Sequence, residues 1–158
     1  MKSHHIVAIG TWEGDKQQSI EYNSSIAVGI DCPRAKLRVS ILLDTIQEYQ
    51  VRYIFSDEEI SEAVNEAGLI IGARGIAYEG VLQRKPVIVV GEYGFGGLVT
   101  PDTLHEQYNN YFRGKINGIK AEYFSLERLE EEIRRGFALT FQELQMMSNQ
   151  TIRFLHNI

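Results

Sequence analysis

The chain has 158 residues, a length that suits one domain, since domains run to about 100–200 residues. Its hydrophobic content of 44% and charged content of 23% are those of a folded globular chain and exclude disorder. A net charge of −5 without any dense Lys/Arg block argues against nucleic acid as a partner. No apolar run approaches the roughly 20 residues of a membrane helix, and the single Cys32 excludes an internal disulfide and a cysteine-rich zinc site. The opening Met1–His5 is too polar for a signal peptide, so a cytoplasmic protein is expected. His4 and His5, adjacent on a strand, point to opposite faces, and no metal site is expected.

In chain order, His5–Gly10 (HIVAIG) reads as a buried strand, and the polar Thr11–Asn23 as a loop or weak helix. Ser25–Asp31 is a second strand. Arg34–Tyr49 carries Leu37, Ile41, Leu42, Thr45, Ile46 and Tyr49 on a helical stripe just behind Pro33. Val51–Phe55 is a strand, and Ser56 with Glu59 has the form of a capping box opening a helix through Glu66. Gly68–Ile71 (strand), Gly75–Arg84 (helix) and Pro86–Val90 (a β-branched run covered on both faces) continue the alternation. Glu92–Asp102, broken by Gly94, Gly96, Gly97 and Pro101, reads as a mobile loop at the carboxyl end of a parallel strand, where ligands bind. Helices follow from Asp102 or Thr103 through Tyr111, over Leu126–Arg135 behind Ser125, and, after an interruption at Gly136, from about 137 to 157. The last carries Phe137, Phe141, Leu144, Met147, Ile152 and Leu155, with packing on its own sheet expected. The run Glu130–Glu132 with Arg134 and Arg135 reads as a solvated face. The fold class is α/β, a single Rossmann-like three-layer domain over 1–158 with a mostly parallel sheet and helices on both faces.

The segment Ala67–Pro101 concentrates the chemistry, because it joins a strand, a glycine turn, a helix start and a glutamate one turn inside the helix. Gly72 and Gly75 permit a tight turn. The free N–H groups of the first helical turn attract phosphate, so Gly72, Ala73, Arg74, Gly75 and Ile76 are the candidate cradle for a pyrophosphate. Glu79, four residues after Gly75, shares its helical face and offers a carboxylate to two ribose hydroxyls. His105 reads as a surface or interface residue, Thr100 as a turn cap, and Tyr108, Tyr111 and Phe112 as packing aromatics.

The letters GARGIAYEGVLQRKPVIVV resemble the donor-binding, C-terminal half of glycosyltransferases of the two-Rossmann (GT-B) architecture, in which a glycine turn and a helix bearing Glu precede a G-x-P-V-I strand. The resemblance implies that Glu79 holds the donor ribose and that the turn 72–75 holds the phosphates. It also implies that the following stretch, with Glu92, Gly94, Phe95, Gly96 and Gly97, lies near the transferred sugar. Where the family has glycine before the P-V-I strand, this chain has Arg84-Lys85. The implied function is to bind a nucleotide-diphosphate sugar, on a uridine or guanosine carrier such as a UDP-sugar, for glycosyl transfer. The nucleotide sugar is a substrate and no cofactor is expected. The partner implied is an acceptor-binding domain or subunit, or another copy of the chain. Two other readings stand beside it: a non-catalytic nucleotide-binding or oligomerisation module, and a fragment like a nucleotide-sugar 2-epimerase.

Overall fold

The structure, a computed structural model, describes residues 5–11, 17–115, 118–120 and 123–156, with side-chain surroundings from Ser24 onward. Its elements in order are strands β1 (His5–Thr11), β2 (Gln17–Asn23) and β3 (Ser25–Gly29), helix α1 (Pro33–Ile46), β4 (Gln50–Tyr53), a 3₁₀ turn at Asp57–Glu59 and α2 (Ile60–Glu66). Then come β5 (Leu69–Gly72), α3 (Gly75–Leu82), β6 (Val87–Gly91), β7 (Gly94–Leu98), α4 (Leu104–Asn109), α5 (Leu126–Phe137) and α6 (Phe141–His156). The second half of the expected loop at 11–23 is therefore strand β2, which pairs antiparallel with β1 from His5↔Asn23 to Thr11↔Gln17 in a sheet of two strands. The expected burial of His5–Gly10, the position of His4, and helix beyond His156 lie outside the described residues.

The main sheet runs β4-β3-β5-β6-β7, the first four strands parallel and β7 antiparallel. Side chains that alternate along a strand go to opposite faces. Ile26, Val28, Leu69, Ile71, Ile88 and Val90 accordingly enter one core, with Val39 and Leu43 of α1 and Leu129 and Ile133 of α5. Ala27, Ile70, Val87 and Val89 enter the other, with Val64 of α2, Ala77 and Val81 of α3, Leu104 of α4 and Met147 of α6. The result is the three-layer α/β fold, with helices on both faces of a mostly parallel sheet.

Helix faces depart from the periodic reading where one helix meets another or solvent. In α1 the buried residues are Ala35, Val39, Leu42 and Leu43, whereas Leu37 and Ile41 are exposed. The buried face is thus the one that carries Ala35, Val39 and Leu42, and Leu37 falls outside it. In α6, which begins at Phe141 rather than Phe137, the buried residues are Met147, Ser148 and Thr151, while Phe141, Ile152 and Leu155 are exposed. This helix packs on α3 instead of the sheet, and the Ser148 hydroxyl donates to the Leu82 carbonyl at 2.9 Å. Its start is a capping box: Thr140 Oγ1 accepts from Glu143 N–H (3.1 Å) and Glu143 Oε1 accepts from Thr140 N–H (2.9 Å). Ser56–Glu59 has the same form but no such cap. There the Glu59 carboxylate accepts from Phe55 N–H, and Ser56 makes no side-chain cap bond. Ser125 does cap α5, accepting from Arg128 N–H at 3.1 Å. Gly136 lies inside α5 rather than breaking it. A Cβ there would come within 2.8 Å of Leu69 Cδ1, so glycine lets the helix close on the sheet. The helix from Thr103 is also shorter than expected, and Tyr111 behind it is exposed.

The expected mobile loop over 92–102 is the largest correction. Gly94–Leu98 is an edge strand paired to β6 with a bulge at Val89/Val90, and Phe95 is buried in the core. Its glycines make room for polar side chains that satisfy the outer edge. The buried Glu132 carboxylate accepts from Leu98 N–H at 2.6 Å, and the Gln107 amide donates to the carbonyls of Gly96 and Gly97. Glu132, read above as solvated, is only 3% exposed, and is paired with Arg135 at 2.7 Å and Arg128 at 3.7 Å. Replacing Glu132 by Ala strands the Leu98 N–H and leaves the two arginines without their carboxylate. We expect a loss of about 2–3 kcal/mol in urea denaturation, against about 1 kcal/mol for Glu132→Gln, which keeps an acceptor.

Candidate functional site

The sheet reverses its winding between β3 and β5. The chain leaves β3 through α1 to β4 on one side, then returns through α2 to β5 on the other. Open α/β sheets bind ligands outside the carboxyl ends of the strands at such a switch point. A crevice of about 280 Å³ opens there, lined by Gly29 and Asp31 behind β3, Phe55 and Asp57 behind β4, and Arg74 and Gly75 behind β5.

Of the predicted turn residues, Ala73, Arg74, Gly75 and Ile76 line this crevice. Gly72 has another role. It is the last residue of β5, paired to Gly29, and a Cβ on it would meet the Gly29 carbonyl at 2.4 Å and Ile76 Cγ2 at 2.5 Å. Glycine here lets two strand ends and the α3 helix converge. The unusual backbone belongs to Arg74, which takes φ 59 and ψ −123, a region that side chains enter at a cost of about 1–3 kcal/mol. That sharp elbow joins β5 directly to α3 and holds the guanidinium at the head of the helix, half exposed. Arg74 Nη1 lies 3.6 Å from Glu92 Oε1, and Arg74 N–H donates to the Phe112 carbonyl at 2.9 Å.

Glu79 lies one helical turn below and does not line the crevice. Its Oε2 accepts from the Gln83 amide at 2.8 Å, and the same amide reaches the Ser61 carbonyl at 3.3 Å. The carboxylate is thereby oriented, with Oε1 free of any hydrogen bond among the described residues. Of the residues expected near a sugar, only Glu92 stands at the elbow. Gly94, Phe95, Gly96 and Gly97 are in β7, where Phe95 stacks on Phe124 with ring centroids 4.7 Å apart. Phe55, expected only as a strand end, and Asp57 carry no local signal of a site in the sequence. The chain order that makes their loop a wall of the crevice, strand β4 beside β3, is not visible in local spacing.

A second concavity, about 700 Å³, runs along the free edge of β7 between α4 and α5. It is larger, but Glu132 and Gln107, the buried polar groups facing it, are already engaged by β7 backbone, so the switch-point crevice is the better candidate. Among the described residues no group of three His, Cys, Asp or Glu is placed to hold a metal ion, and no helix is long and apolar enough to cross a membrane. His105 packs against Phe154 with centroids 5.6 Å apart and ring planes tilted by 44°, and Thr100 and Thr103 bond each other's backbone N–H groups in the turn before α4.

Compared with protein-family models, with curated proteins and with solved structures, the chain matches none.

The Arg84-Lys85 pair that stands in place of a glycine closes α3. Arg84 N–H donates to Val81 O and Lys85 N–H to Gly80 O, a Schellman end with Arg84 left-handed at φ 61. Lys85 Nζ donates to the carbonyls of Asn65 and Ala67 at the end of α2, and burial holds its ammonium pKa below the ordinary lysine value. Arg84→Gly removes the left-handed strain, and we expect thermal unfolding to report a gain of about 1 kcal/mol.

Proposed function

We propose that this chain is the donor-binding half of a glycosyltransferase, binding a nucleotide-diphosphate sugar in the switch-point crevice, with the acceptor site supplied by another domain or subunit. The observation that carries the reading is the Arg74 elbow. A strained, charged residue between a buried parallel strand and a helix start has no packing role that glycine would not fill better. It does place a cation beside the free N–H groups of Gly75 and Ile76, where a pyrophosphate gains both hydrogen bonds and the helix dipole. Ala73 borders the same anion. Glu79 stands one turn below the crevice with one carboxylate oxygen free, and the resemblance assigns it the ribose hydroxyls of a nucleoside that extends along α3, with Glu92 on the sugar side. The order of glycine turn, glutamate-bearing helix and P-V-I strand, on which the resemblance rests, supports the same reading. In this reading the nucleotide is a substrate and the chain requires no cofactor.

Isothermal titration with UDP, GDP and their sugar conjugates tests this. Arg74→Gly is the informative variant, because relief of the strained backbone stabilises the fold by about 1 kcal/mol while loss of the guanidinium weakens diphosphate binding about tenfold or more. Glu79→Ala weakens nucleotide binding by about 1–3 kcal/mol and leaves affinity for inorganic pyrophosphate unchanged. Wild-type protein that binds no nucleotide at millimolar concentration would overturn the proposal in favour of a non-catalytic interaction module.

A further inference from the structure

Among the described residues, Arg113 is a cation without a counter-charge. Its guanidinium lies between the rings of Tyr93 and Tyr111, 5.7 and 5.3 Å from their centroids, and Nη1 donates to the Tyr93 hydroxyl at 3.1 Å. Its Nε is buried with no hydrogen-bond partner, and among the described residues no carboxylate reaches it, whereas Arg74 has Glu92. The loop that presents it takes up consecutive left-handed residues, Tyr111 at φ 62 and Phe112 at φ 54, which bury Phe112 and turn Tyr111 outward at 63% exposure.

This cluster is fastened to the elbow. The Phe112 carbonyl accepts from Arg74 N–H and the Arg113 carbonyl from Tyr93 N–H, at 2.9 and 3.0 Å, and Arg113 O sits against Gly91 at the end of β6. In the sheet β6 flanks β5 on the side away from β3. Crevice, Arg74 and Arg113 therefore follow one another across the carboxyl ends of β3, β5 and β6. In the donor-site reading the crevice takes the nucleoside and Arg74 the phosphates, which leaves the β6 side, where Arg113 stands, for the sugar.

We propose that Arg113, framed by Tyr93 and Tyr111, receives a carboxylate on that sugar, so that the donor is a nucleotide-activated hexuronate; this rests on the donor-site reading above. A planar monoanion matches the guanidinium edge, and the pyranose C–H face suits an exposed tyrosine ring.

The test is titration of the full chain with UDP-glucuronate against UDP-glucose, and with GDP-mannuronate against GDP-mannose. The expected result is about tenfold or more tighter binding of the acidic sugar, a preference abolished by Arg113→Gln and reduced by Tyr111→Ala, with affinity for the bare diphosphate unchanged in both variants. Tyr111 is exposed, so its variant stays informative if Arg113→Gln does not fold. Equal binding of acidic and neutral sugars by the wild type, or a preference that survives Arg113→Gln, overturns the inference while Arg74-dependent diphosphate binding leaves the donor site standing. Absence of all nucleotide binding overturns both.

Discussion

A parallel sheet buried on both faces has its ligand-accessible backbone at the strand ends, and the central strands here obey that constraint strictly. Ile70 and Ile71, or Ile88 and Val89, send successive side chains into two separate cores, so neither face of β5 or β6 has room for a ligand. The carboxyl ends are where the chain turns, and where α3 begins. The crevice, the Arg74 elbow and the Arg113 loop all lie along that end because the layers leave them no other place. The fold determines the location of the site, and the residues at the strand-to-helix turns determine what it holds.

Much of this was legible in advance. β-branched runs at Pro86–Val90 and Gly68–Ile71, alternating with helical stretches, are enough to specify parallel strands under helices, and the residues just behind β5, Ala73 to Ile76, line the crevice while Gly72 packs inside the sheet. The unreadable parts share a physical cause: they depend on partners remote in sequence. Gly94, Gly96 and Gly97 signal flexibility when taken alone, yet they form a strand because Gln107 and Glu132 arrive from α4 and α5 to hold its outer edge. Glu132 sits in a run of charges and is nonetheless buried for the same reason.

The glycines of the turn teach a related lesson. Local rules assign the unusual backbone to Gly72 and Gly75, but the left-handed residue is Arg74, and Gly72 is needed for its lack of a side chain against Gly29. Thr140–Glu143 and Ser56–Glu59 both have the form of a capping box, and only the first caps a helix reciprocally. Short motifs state what a segment is able to do, and the tertiary surroundings choose.

The way β7 is closed off carries a consequence for the whole molecule. An unpaired strand rich in glycine and flanked by apolar residues is a template on which other chains add, and here two side chains from two helices occupy its backbone groups. Protection of that edge therefore depends on α4 and α5 staying docked. Because Leu104 of α4 and Leu129 and Ile133 of α5 are also core residues, detachment of either helix would bare that backbone edge and part of the core together, tying resistance to edge-to-edge pairing to the packing of the interior.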